Sequence, residues 1–133
     1  MSKKILMADD DPDDRNLALI AFRELNVIHT IDFVTDGQEL IDDLLYKVAS
    51  KTALPDIILL DLNMPKKDGR IALKEIKAHT DLNHLSVIIF STSSSTEDIN
   101  YVMSLGAKNY IIKPSGYVEL VSIFRNICDE LSI

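Results

Sequence analysis

Five short apolar runs recur along the chain at nearly even spacing, and that spacing restricts the folds open to it. Ile5–Ala8, Ile31–Val34, Ile57–Leu60, Val87–Phe90 and Tyr110–Ile112 begin 26, 26, 30 and 23 residues apart. Each interval has room for one strand, one helix and two short loops, so the chain reads as a strand-helix unit repeated five times. The first, third and fourth runs are apolar at every position, as central parallel strands covered on both faces should be. The second, TIDFVTD, sets Asp32 between Ile31 and Phe33 and suits an edge strand.

The intervening segments carry helical spacing. Leu17, Ala18, Ala21, Phe22 and Leu25 form one stripe, and Leu40, Ile41, Leu44, Leu45 and Val48 another. Asp11 followed by Pro12 reads as an N-cap with proline in the first helical position. Ile99, Val102 and Met103 mark a fourth helix ending at Gly106, a natural left-handed residue. Leu120, Phe124, Ile127 and Leu131 define a last one. Right-handed crossovers then give an α/β, flavodoxin-like doubly wound (βα)5 fold. Its five-stranded parallel sheet has the order 2-1-3-4-5, with ligands expected beyond the carboxyl ends of strands one and three.

At 133 residues the chain is expected to be one domain, 1–133, with no output domain. Its net charge of −7 argues against phosphate-mediated nucleic-acid binding. One cysteine, Cys128, excludes an internal disulfide and fits a reducing compartment. No apolar run approaches membrane-spanning length, so no membrane partner is expected and a cytoplasmic location follows by elimination.

Polar residues gather where the strands end. Asp9, Asp10 and Asp11 follow strand one, Asp61 and Asn63 follow strand three, Ser91 and Thr92 end strand four, and Lys113-Pro114 ends strand five. Carboxylates on neighbouring strands would lie roughly 5–6 Å apart, and each like-charge pair costs about 3 kcal/mol at an effective dielectric near 20. A hard divalent cation, Mg²⁺ by preference, would relieve that cost. So would protonation of one carboxylate, or neutralisation by Lys113 alone. An aspartate beside a metal, a lysine and a hydroxyl is an arrangement for phosphoryl transfer, with the aspartate as nucleophile.

The stretches ADDDPDD, ILLDLNMPKKDG, VIIFSTSS and GAKNYIIKP resemble the receiver domains of two-component response regulators along the whole chain. That resemblance places the acidic metal-binding pair on Asp9 and Asp10 and the phosphoacceptor on Asp61. The carbonyl metal ligand falls on Asn63, the switch hydroxyl on Ser91, the catalytic lysine on Lys113 and the rotating aromatic on Tyr110. It implies a cis Lys113–Pro114 bond and Mg²⁺ as cofactor. Implied partners are a sensor histidine kinase or histidine phosphotransfer protein, together with a downstream protein target. Two departures stand out: Ser91 replaces the commoner threonine, and Ser115-Gly116 stand where an aromatic is usual. DDDPDDR and STSSSTEDI further resemble stand-alone receivers paired with bacterial phytochrome-type kinases.

The resemblance implies a phosphorylation-dependent switch that catalyses only its own modification, hence not an enzyme with separate turnover. Two rivals remain, an unphosphorylated pseudo-receiver module and a metal-dependent aspartyl-phosphate phosphohydrolase. The latter would want a carboxylate where Asn63 stands.

Plainer roles suit other residues. Asp11, Asp13 and Asp14 complement the dipole of the first helix, and Asp68-Gly69 reads as a turn with Gly69 at positive φ. Lys66 and Lys67 read as surface charge or as part of a kinase-docking rim. His29, His79 and His84 show no partner spacing. In the last helix Val118, Leu120, Val121, Ile123, Phe124, Ile127, Cys128 and Leu131 wrap more than one face. Core packing explains half of them, leaving an apolar patch for a partner such as a second copy, through a helix four, strand five, helix five face.

Overall fold

The structure, a computed structural model, describes residues 1–132. Its elements alternate as the periodicity requires: β1 (Lys4–Ala8), α1 (Pro12–Glu24), β2 (Thr30–Val34), α2 (Gly37–Ser50), β3 (Ile57–Leu60), α3 (Gly69–Ala78), β4 (Ser86–Ser91), α4 (Thr96–Ser104), β5 (Asn109–Ile112) and α5 (Tyr117–Leu131). The strands form one parallel sheet in the order β2-β1-β3-β4-β5. No helix among the described residues is long and apolar enough to cross a membrane.

Side-chain alternation along the strands splits the core into two layers. Leu6, Ala8, Ile58, Leu60, Val87 and Ile89 meet α2, α3 and α4 on one face. Ile5, Met7, Ile57, Leu59, Ile88 and Phe90 meet α1 and α5 on the other. The centre of the second layer is Phe124, fully buried, with Phe22 and Phe90 edge-on to it at centroid distances of 6.2 and 6.4 Å.

Helix ends follow local chemistry. Asp11 caps α1 by accepting from the Asp13 N–H, and Pro12 follows it. Asp36 caps α2 through the Glu39 N–H. Gly106, at φ 106°, closes α4 after Leu105, as its sequence position requires.

Several expectations need correction. Gly69 does not lie at positive φ; the left-handed residue of that loop is Lys66, at φ 64°. Asp68 is instead the cap of α3, accepting from the Arg70 and Ile71 N–H groups. Glycine is required at 69 because a Cβ there would run into the Asp61 carbonyl oxygen. The Lys113–Pro114 bond is trans, since the described residues contain no cis peptide; trans is the favoured isomer of an X-Pro bond by about 0.5–1 kcal/mol.

Six of the eight apolar residues named in α5 are buried and Ile123 packs against them, which leaves Val118, 76% exposed, on its own. The two-layer core takes more of this helix than its sequence implies, and its exposed apolar residues are confined to Tyr117 and Val118 at its start. Leu17 and Leu45, assigned to buried stripes, are exposed at the margins of α1 and α2.

His29 has a structural use that its isolation in sequence hides. It is buried, accepts from the Lys3 N–H through Nδ1 at 3.0 Å, and meets the Ser132 hydroxyl through Nε2 at 2.9 Å. The Ser132 hydroxyl in turn donates to the Cys128 carbonyl. The start of β1 and the end of α5 are thereby pinned together.

Candidate functional site

Strand register builds the site. Ala8 and Leu60 are direct partners between β1 and β3, so the next residues, Asp9 and Asp61, leave the sheet side by side. The Asp61 N–H donates to the Ala8 carbonyl, and the Asp9 N–H to Val34. Ser91 pairs with Ile112 across β4 and β5, and the Lys113 N–H donates to the Ser91 carbonyl at 2.8 Å. Four separate chain segments are thus delivered to one rim by parallel pairing alone.

Carboxylate oxygens of Asp9, Asp10 and Asp61 lie within 4.8 Å of one another. Asp9 is fully buried, Asp61 is 7% exposed and Asp10 is exposed. Facing them, the Lys113 ammonium donates to Asp9 Oδ2 at 2.7 Å, Asp61 Oδ2 at 2.9 Å and Asp14 Oδ2 at 2.9 Å. Burial works against the charge on Lys113. Its hydrogen bonds to Asp14, Asp9 and Asp61 outweigh that and push its pKa above the ordinary lysine value. Burial pushes the Asp9 carboxyl up, against the opposing pull of Lys113 and the Asp11 N–H. The ammonium also stands 6.0 Å from the centroid of the Phe90 ring.

The donor set is all oxygen and strongly anionic, with one cluster member open to solvent. This fits a hard divalent cation that keeps some of its water.

Asn63 follows in the loop after β3, where its N–H donates to Asp61 Oδ1 at 3.3 Å. Ser91 is fully buried at the end of β4, and its hydroxyl oxygen accepts from the Ser93 N–H at 3.2 Å. Tyr110 is half-buried on β5, and its hydroxyl donates to the Ser93 carbonyl at 2.7 Å. Ser93 Oγ donates to Asp98 Oδ2, and Asp98 accepts from the Arg70 guanidinium at 2.8–2.9 Å. These bonds join the β4–α4 loop, both flanking elements and the first turn of α3.

A family profile described as "Response regulator receiver domain" matches residues 5–125. The chain belongs to that family. Among relatives of this receiver domain is "Response regulator Rcp1" of Synechocystis, 30% identical over 126 residues, covering 94% of this chain and 86% of Rcp1. A solved structure of the phosphorylated cyanobacterial phytochrome response regulator RcpA superposes with a TM-score of 0.86 at 36% identity. That match covers 96% of this chain and 91% of the other. The Mn²⁺-bound form of Rcp1 matches at TM-score 0.81 and 30% identity, with 94% and 91% covered.

Sequence reasoning missed three participants in this receiver. Asp14, assigned to the helix dipole, reaches Lys113. Arg70, singled out by no motif, and Asp98, read only as part of STSSSTEDI, form the ion pair beside the β4–α4 loop. Lys66 and Lys67 are engaged, at 3.7 Å with Asp36 and at 2.5 Å with Glu75.

Proposed function

We propose that this receiver accepts a phosphoryl group onto Asp61 from a histidine kinase or histidine phosphotransfer protein, and that the modification switches a protein-binding surface. The observation that carries this reading is the Asp61 carboxylate itself. It is anchored at the end of β3, bonded to Lys113 at 2.9 Å and clustered with Asp9 and Asp10.

In the transfer, an Asp61 carboxylate oxygen attacks phosphorus as the phosphorus–nitrogen bond to the partner's imidazole breaks. The electron pair leaves with that nitrogen. Lys113, already bonded to Asp61, donates to oxygens of the transferring group and offsets their charge. Asp9, Asp10 and Asp61, with the Asn63 carbonyl, would hold Mg²⁺. Once bound, the ion would screen the carboxylates and polarise the phosphoryl oxygens. Ser91, one residue beyond the Phe90 ring, supplies the hydroxyl that follows the phosphoryl group, and Tyr110 responds through Ser93.

The surface that changes is the α4–β5–α5 face, where Tyr101, Met103 and Ile112 are 41–48% exposed. Its occupants are a downstream protein, a further phosphotransfer partner or a second copy of the chain. Likeness to RcpA, a phytochrome response regulator, supports a phytochrome-type kinase as the donor. The domain turns over no separate substrate.

Acetyl phosphate with Mg²⁺ tests the reading by intact-mass measurement. One phosphoryl addition to wild type and none to Asp61→Asn is expected. Absence of addition to both would leave a constitutive interaction module. Sustained phosphate release from unrelated esters would mark a phosphohydrolase instead.

A further inference from the structure

A lysine ammonium has three hydrogens to donate, and Lys113 directs one to each of three carboxylates, Asp9, Asp14 and Asp61. Two of these belong to the acidic cluster. Asp14 does not. It stands in the first turn of α1 and lines the cleft of about 260 Å³ between that helix and the start of α5, together with Leu17, Pro114, Tyr117 and Leu120. Asp9 and Asp61 are the groups that would take the cation and the phosphoryl group, so neither is a constant partner for the ammonium. Asp14 is constant, because nothing in the reaction alters its charge or its attachment.

We propose that Asp14 is a positioning residue. It holds Lys113 Nζ at the strand ends independently of Asp9 and Asp61, so the ammonium meets the incoming phosphoryl group already oriented. Its consequence for phosphorylation rests on Asp61 as acceptor; the hold on Lys113 does not. A lysine side chain has many rotamers open to it, so one lasting partner matters to where the ammonium rests. The helix dipole accounts for an acid in the first turn of α1 but not for this contact. Asp13 serves the dipole equally, and among the described residues its carboxylate forms no ion pair.

The test compares D14N, D14E and D13N with wild type. With acetyl phosphate and Mg²⁺, D14N takes up phosphoryl about ten-fold more slowly, within the roughly hundred-fold loss that a misplaced group can cause. D14E recovers most of the rate, and D13N matches wild type. In unphosphorylated, ¹⁵N-labelled protein, the Lys113 ammonium resonance is sharp in wild type and D13N, and is broadened by faster exchange in D14N. A D14N protein with wild-type rate, or with a wild-type Lys113 resonance, would overturn the proposal. If wild type itself accepts no phosphoryl group, the Asp61 reading fails, while the resonance still decides whether Asp14 holds Lys113.

Discussion

The Tyr110 hydroxyl donates to the Ser93 carbonyl across 2.7 Å, which ties β5 to the loop that follows β4. Tyr110→Phe removes the donor and keeps the ring that packs against the core. The expected cost is about 1 kcal/mol of stability, the net worth of one such bond. Urea unfolding measures it, and amide exchange in the 92–96 segment should quicken at the same time. An unchanged midpoint with unchanged exchange would mean that the bond holds nothing in place.

Asp98 gives a pH dependence with a definite sign. Hydrogen bonds from Ser93 and Arg70 hold its carboxyl below the ordinary aspartate value of 3.8. A depressed folded-state pKa means that its contribution is complete above 3.8 and is lost as pH falls through the lower folded value. Asp98→Asn is therefore less stable than wild type at neutral pH, and the gap narrows as the pH drops below 3.8. Urea midpoints taken between pH 7 and pH 2.5 check this, and a gap independent of pH would contradict it.

The acidic cluster predicts a metal response. A ligand that binds only the folded state stabilises by about 2.7 kcal/mol at a hundred times its dissociation constant. Wild type should therefore melt at higher temperature in Mg²⁺. Asp10→Asn, lacking one cluster carboxylate, should show a smaller rise. In metal-free buffer the same variant should be no less stable than wild type, because one like-charge repulsion is gone. Equal Mg²⁺ shifts in both proteins would remove Asp10 from the metal site.

Gly69 makes a steric prediction. An alanine methyl would overlap the Asp61 carbonyl, forcing the loop after β3 away from the start of α3. Overpacking of this kind costs about 1–3 kcal/mol. If Asp61 is the acceptor, as proposed, it should also slow acetyl phosphate labelling, because the displaced carbonyl belongs to that residue. Full stability in Gly69→Ala would show that the loop can yield.

The strands were legible because parallel pairing buries both faces, so β1, β3 and β4 carry unbroken apolar runs that few other elements tolerate. Their order then placed Asp9, Asp61, Ser91 and Lys113 at one rim, since register sets where each strand ends. What escaped the sequence depends on approach rather than pattern. The Asp68-Gly69 pair has the composition of a turn, and only the bonds from the Arg70 and Ile71 N–H groups to the Asp68 carboxylate distinguish a helix cap from one. Asp14 and Lys113 lie 99 residues apart, and no spacing rule connects them. How much of α5 is covered is settled by α1 and the sheet packing over it, which the helix's own residues do not record.

The His29 clasp has a practical corollary. It fastens the first strand to the last helix at the edge of the molecule where strands begin, opposite the rim where Asp61 sits. A tag or fusion partner attached at either end would therefore hang beneath the sheet, clear of the acidic cluster at the opposite rim.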